Sequence, residues 1–226
     1  MSNVAVIRNI YRIKFEKTGA MKFIGHLDLL KMFQRAVKRS VLPVAYSQGF
    51  NPHQIMSFAL PLSVGVESIG EIVEIEFTEN LECANAAERL NAAMPDGLKI
   101  VNIRRLEAGE KNAAASLCTA SYKLVFSESV CKSKLKDVIN EILTERQIII
   151  TKKGKKGDKQ IDIRPMIFEL KSLEGLGITT KLATGSSANL KAEVIAEIIC
   201  ERLGVSYNPG DVRIKRLALF GANGDL

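Results

Sequence analysis

The sequence predicts an α+β protein made of two tandem ferredoxin-like (β-α-β-β-α-β) domains with antiparallel sheets. Three observations predict it. Several short stretches alternate apolar and polar residues, stretches of helical periodicity separate them, and the element order of residues 1–107 returns in residues 118–226. Between the two halves, residues 108–117 are mostly small and polar and read as a linker. The repeat is one of element order, not of residues.

In the first half, YRIKFEK at 11–17 puts Tyr11, Ile13 and Phe15 on one side and Arg12, Lys14 and Glu16 on the other, as in a half-buried strand. A helix is predicted over 27–40. Its apolar stripe is Leu29, Leu30, Phe33, Ala36 and Val37, and Lys31, Arg35, Lys38 and Arg39 share the opposite face. Pro43 forbids its continuation. Residues 44–46 form a short strand leading into the loop SQGFNPH at 47–53, and strands at 55–60 and 70–78 flank a turn-rich stretch. A second helix at 83–94 stops before Pro95 and Gly97, and a strand at 98–104 closes the domain.

The second half opens with a strand at 121–126 and a helix at 134–144 that turns Leu135, Val138, Ile139 and Ile142 inward. Strands at 147–151 and 161–170 are joined by a lysine-rich hairpin, and 177–183 extends the sheet. A helix at 190–203 follows, with Asn189 or Ser187 as its capping side chain, and a strand at 212–220 ends the order. Asp162 and Arg164, just before Pro165, read as one face of an exposed or interfacial strand edge.

Composition narrows the function classes. With 46% hydrophobic and 25% charged residues over 226 positions, the chain is an ordinary globular protein, which excludes disordered, collagen-like and low-complexity classes. Cys83, Cys118, Cys131 and Cys200 make no CxxC or other zinc or cluster spacing, so no metal and no cofactor is expected. No apolar run approaches the ~18 residues of a membrane span, and the start lacks a basic stretch leading into an apolar one. A cytoplasmic location without membrane association is the expectation. Net charge is +7, with +2 over residues 1–113 and +5 over 114–226, a lean towards a polyanionic partner such as RNA or DNA.

Chemistry-bearing residues concentrate between 21 and 70. Both histidines of the chain fall there: His26 at a helix start, two residues before Asp28, and His53 at the end of a loop. Two imidazoles, one accepting and one giving a proton, with Asp28 as orienter, suffice for metal-free phosphodiester cleavage; otherwise both histidines are packing and hydrogen-bonding residues. Lys31, Arg35, Lys38 and Arg39 either hold phosphates along one helix face or form a solvated surface. Phe50 and Tyr46 flank the loop as candidates for stacking on exposed bases, although Phe50 serves equally as a core plug. Glu67 and Glu71 read as solvated glutamates at a turn edge and not as a metal pair. In the second half, the hairpin TKKGKKGDK at 151–159 carries Lys152, Lys153, Lys155, Lys156 and Lys159, an electropositive finger suited to a phosphate backbone.

The same region carries a resemblance. FIGHLD at 23–28, Arg35-Ala36, LPVAYS at 42–47, GFNPH at 49–53, SFALPL at 57–62 and GVES at 65–68 resemble the radical-SAM-linked proteins, a domain of unknown function found beside or fused to radical SAM enzymes. The resemblance covers the first domain and continues through IDIRP at 161–165. The family commonly has serine where Gly25 stands, and a proline followed by a basic residue where this chain has Gln54-Ile55. It implies association with radical SAM chemistry and RNA modification, and no activity of its own. The three closely spaced cysteines of a radical SAM enzyme are absent, so the cluster-bearing role belongs to a partner. The first expectation is therefore a non-catalytic RNA-binding accessory protein that presents tRNA or rRNA to a radical SAM enzyme. Two alternatives stand beside it: a metal-independent endoribonuclease using His26 and His53, and a module that docks the radical SAM partner without RNA.

Overall fold

The computed structural model describes residues 8–128, 130, 132–152, 157–186, 188–222 and 224–226. The chain divides into two compact units, one of residues 1–116 with Leu226 and one of Leu117–Asp225. Each is α+β with an antiparallel sheet.

In the first unit the elements run β1 (Asn9–Lys17), a 3-10 helix (Gly19–Phe23), α1 (His26–Arg39), β2 (Met56–Phe58), β3 (Glu67–Phe77), α2 (Cys83–Ala93), β4 (Leu98–Arg105) and the short α3 (Ala113–Ser116). The strands lie in the order β4-β1-β3-β2. Tyr11 pairs with Ile75, Ile13 with Val73 and Phe15 with Glu71, so one face of the sheet is apolar except at its Glu71 end. Leu29, Phe33 and Val37 of α1 and Ala86 and Leu90 of α2 pack on that face. Two chain signals fix the helix ends. Glu82 caps α2 by accepting from the amides of Ala84 and Asn85, and Ser40 ends α1 with its amide on Ala36 O. Arg89 then locks the two helices by donating to Ser40 O and Val41 O.

The opposite face of this sheet is not left to solvent. Arg12 and Glu74 stand opposite each other on it, and both are buried. The stretch read as a linker lies over them: Arg12 donates to Lys111 O at 3.0 Å and pairs with Glu110 at 3.1 Å, and the Ala113 amide donates to Glu74 at 2.9 Å. Burial of the ion pair is thus matched by hydrogen bonds on both partners, which such a pair requires.

The second unit runs β5 (Leu117–Phe126), α4 (Lys132–Thr144), β6 (Ile149–Lys152), β7 (Lys159–Asp162), a 3-10 helix (Arg164–Met166), β8 (Ile167–Ser172), β9 (Gly177–Ala183), α5 (Ala192–Arg202), β10 (Val212–Gly221) and β11 (Gly224–Asp225). Its sheet has the order β10-β5-β9-β8, with β11 on β10, while β6 and β7 form a separate two-stranded ribbon. Ile139 and Ile142 of α4 and Ile195 and Ile199 of α5 are buried against it. The single strand expected at 161–170 is two strands in two sheets. Pro165 lacks the amide that a ladder needs, and Arg164 turns the chain by donating to Leu143 O in the last turn of α4 and to Glu145 O just after it. Asp162 accepts from the amides of Ile148 and Arg164, so these two residues build a corner instead of an exposed edge. Asn189 is not the cap of α5: the N-cap is Lys191 without a side-chain bond, and Asn189 accepts from Thr184 Oγ1; the other expected cap, Ser187, lies outside the described residues.

Candidate nucleic-acid interface

The loop 47–53 is clasped at its neck. The Ser47 hydroxyl and His53 Nδ1 lie 2.8 Å apart, the His53 amide donates to Ser47 Oγ at 3.1 Å, and the Ser47 amide donates to His53 O at 2.8 Å. Gly49, at φ 119°, turns the chain where a side chain would be strained. The clasp leaves Phe50 fully exposed at the tip and Tyr46 half-exposed at the base. Phe50 is therefore no core plug.

Buried Gln54, just past the neck, donates from Nε2 to Gln34 O of α1 at 3.2 Å. That bond seats the loop beside the middle of α1. Lys31 lies three residues before Gln34 and Lys38 four after, so both project from the same side of the helix one turn away, with Arg35 between them. All three are exposed. Arg35 and Lys38 have no ion-pair partner among the described residues, and Lys31 meets only Asp28, at 3.5 Å with both ends exposed, a contact worth little. Arg39 differs from them. It donates to Ala93 O, which ties α1 to the end of α2. The geometry is a cationic strip beside a projecting aromatic ring, the pairing that holds single-stranded backbone and stacks a base.

The two histidines have different neighbours. His26 opens α1 with its ring edge-on to Phe58 at 5.4 Å, and Phe58 in turn meets Phe15 and Phe33. His53 adjoins Gln54, which bonds the helix eight residues further on, about 12 Å along its axis. Asp28 faces Lys31 and not an imidazole. Among the described residues no hydrogen bond or ion pair joins His26, Asp28 and His53, and His26 completes an aromatic cluster.

Sequence reasoning missed what lies under the helix start. Lys17, expected only as the end of a strand, is 1% exposed and donates to Ile24 O at 2.8 Å. Glu71 is buried nearby in the same sheet, and Glu67 accepts from the Gly19 amide at 3.2 Å. Glu71 is therefore buried and not a solvated turn-edge residue, whereas Glu67 is partly exposed and bonds the start of the 3-10 helix. Gly65 N donates to Lys22 O, so FIGHLD and GVES meet around this polar core. No group of three potential metal ligands occurs among the described residues.

In the second unit Lys152 and Lys159 are exposed and directly opposite each other across the ribbon. Like charges in such a pair repel, which an anion between them would relieve. Lys153, Lys155 and Lys156 lie outside the described residues. No helix among the described residues is long and apolar enough to cross a membrane.

Fold and surface together define an α+β protein of antiparallel sheets carrying a cationic helix strip beside an exposed aromatic loop. Residues 10–192 match the family described as an uncharacterized protein conserved in bacteria (DUF2344), and the chain belongs to it. No curated protein matches the chain. Among solved structures it is similar to a chain of the crystal structure of a Cbf5-Nop10-Gar1 complex, with 12% identity and a TM-score of 0.48 over 92% of this chain. This chain spans 48% of that one.

Proposed function

We propose that this chain is a non-catalytic RNA-binding protein that presents tRNA or rRNA to a radical SAM modification enzyme in the cytoplasm. The observation that carries the RNA part is the exposed Phe50 held beside Lys31, Arg35 and Lys38. A fully exposed phenyl ring on a clasped loop has no role in folding, and stacking under a base is its most economical use. The radical SAM part rests on the resemblance carried by FIGHLD, GFNPH and GVES. Each unit is a ferredoxin-like module in this reading, supported by the strand orders β4-β1-β3-β2 and β10-β5-β9-β8 between elements that run β-α-β-β-α-β once the ribbon is set aside. Cleavage by a histidine pair finds no support in the contacts of the two rings, His26 meeting Phe58 and His53 meeting Ser47.

The test is anisotropy of a labelled rRNA or tRNA fragment titrated with the chain in EDTA over a series of KCl concentrations. Three phosphate contacts on a single strand give a log–log slope near −2, at about −0.7 each. Reversing Lys31, Arg35 and Lys38 to Glu is expected to abolish most of that slope. Phe50→Ala is expected to cost about 1–3 kcal/mol while leaving the slope in place, since stacking releases no counterions. If both variants bind like the parent, the first unit does not hold RNA here.

A further inference from the structure

A groove of about 710 Å³ lies within the second unit, between the β6–β7 ribbon and α5. The strand β6 lines it with four consecutive residues, 149–152. Side chains of a strand alternate between faces: Ile150 shares a face with its partner Ile161, so the groove meets that face of the ribbon, and Ile149 and Thr151 reach it at the free edge of β6. The bonding pattern says which backbone groups sit on that edge. Ile163 N donates to Ile148 O, which makes 148 and 163 a hydrogen-bonded pair of the ribbon. The bonded pairs then recur at 150 with 161 and at 152 with 159, and the N–H and C=O groups of Ile149 and Thr151 point away from β7. No hydrogen bond among the described residues takes them up.

Across the groove stand Val194 and Ile198, one turn apart on α5, and Ile161, Ile163 and Met166 complete the apolar lining. The lining holds no aromatic ring, so a nucleobase would find nothing to stack on. Glu197 and Glu201, one turn apart, form the α5 side of the rim, while Lys152 and Lys191 stand at its β6 side and at the start of α5. A free strand edge facing an apolar helix is the arrangement by which an extended peptide adds itself to a sheet.

We propose that this groove takes an extended segment of a partner protein by strand addition to β6. The segment's main chain bonds the outward groups of Ile149 and Thr151. Its aliphatic side chains, at every second position, sit against Val194 and Ile198, and a Lys or Arg in it meets Glu197 and Glu201. Four residues of β6 give about 13 Å of edge, enough for a four-residue core of the segment. The proposal does not rest on the RNA reading of the first unit, since neither Phe50 nor α1 takes part, although Lys152 belongs both to this groove and to the ribbon's lysine pair.

The experiment begins with selection of random twelve-residue peptides displayed on phage against the full chain. An enriched sequence is then made synthetically and added to the isotope-labelled protein. Peptides with aliphatic residues at i and i+2 and a basic residue are expected. On binding, amide exchange at Ile149 and Thr151 slows at least about tenfold, while Ile150 and Lys152, already bonded to β7, change little. Thr151→Pro removes one outward N–H without touching a ribbon bond and weakens binding at least about tenfold, as does Val194→Glu. The proposal is overturned by failure to enrich such peptides, by binding that leaves Ile149 and Thr151 exchange unchanged, or by undiminished affinity of Thr151→Pro. Protection of those two amides by a uridine decanucleotide and not by peptide would make the groove an RNA surface and overturn it equally. The exchange measurement uses the unaltered chain, so it decides even if a variant fails to fold.

Discussion

Arg12 shows how much a single side chain can decide in this protein. It is 5% exposed, bonds Glu74 through Nε at 2.9 Å and reaches Glu110 and Lys111 O in the overlying segment. Arg12→Ala leaves Glu74 buried with one partner gone, and is expected to destabilise the first unit by about 3–5 kcal/mol in denaturant melts. Glu110 adds a dependence on pH. Paired hydrogen bonds from Arg104, at 2.9 and 2.6 Å, hold its carboxyl down at about 2, with the Glu107 amide and the Arg12 charge adding to them and burial opposing. Its folded pKa lies below the unfolded one, so its contribution is complete above the ordinary carboxylate range and is lost as pH falls from about 4.5 to about 2. Glu110→Gln should therefore lower stability at pH 7, and the gap to the parent should close as pH is brought to 2. A gap that stays constant across that window would place the role of Glu110 in shape and not in charge. None of this was legible in the sequence. Alternation at 11–17 assigns Arg12 to the second face, but periodicity cannot say that the second face is covered.

At the scale of elements, the turn before β4 is the tightest joint of the first unit. Gly97 has φ 87°, and a Cβ there would lie 2.6 Å from Thr18 O, a backbone atom whose own residue donates its amide to Gly97 O at 2.8 Å. The strand end and the turn are thus held together from both sides and neither can retreat. Gly97→Ala is expected to lower the melting temperature by several degrees, since positive φ and the contact each cost of order 1 kcal/mol or more. A control at Gly109, also at positive φ but with open space around it, should lose only the backbone part. The sequence foretold these elements well where one strong period ran between clear breakers: α1 ends where Pro43 approaches, and Leu29, Phe33, Ala36 and Val37 of its stripe are buried. It failed where a bond across the fold overrode local pattern. Residues 161–170 read as one strand, yet Arg164 closes on the carbonyls at the end of α4 and breaks the strand in two. The candidate interface divides the same way. Its cations were visible as a helix face, whereas the exposure of Phe50 depends on the Ser47–His53 clasp, which no spacing announces.

For the whole molecule the question is how a net charge of +7 is used. The excess is not a uniform coat. In the first unit Arg12, Arg89 and Arg104 are consumed by internal bonds, and Arg39 by the end of α2; of the exposed cations, Lys31, Arg35 and Lys38 lie together as a strip, while Arg8, Lys99 and Lys111 stand elsewhere. In the second unit Arg164 and Arg202 are likewise internal, Arg202 joining α5 to Glu141 and Glu145 of α4, while Lys152 and Lys159 stay exposed and face each other. A pair of lysines set opposite each other costs folding energy and gains it back only from an anion. That asymmetry separates a binding role from a solubilising one. Lys152→Glu converts the repulsive pair into an attractive one worth about 0.2–1 kcal/mol, so the ribbon should become more resistant to local opening, read as slower amide exchange at Ile150 and Lys159. If the ribbon touches RNA, the same change should weaken binding and reduce the magnitude of the salt slope by about 0.7–0.9. Gain of ribbon stability with loss of RNA affinity is the expected combination. Gain of stability with an unchanged slope would mean that the ribbon's lysines serve solubility alone, and that RNA, if bound, is held by the first unit.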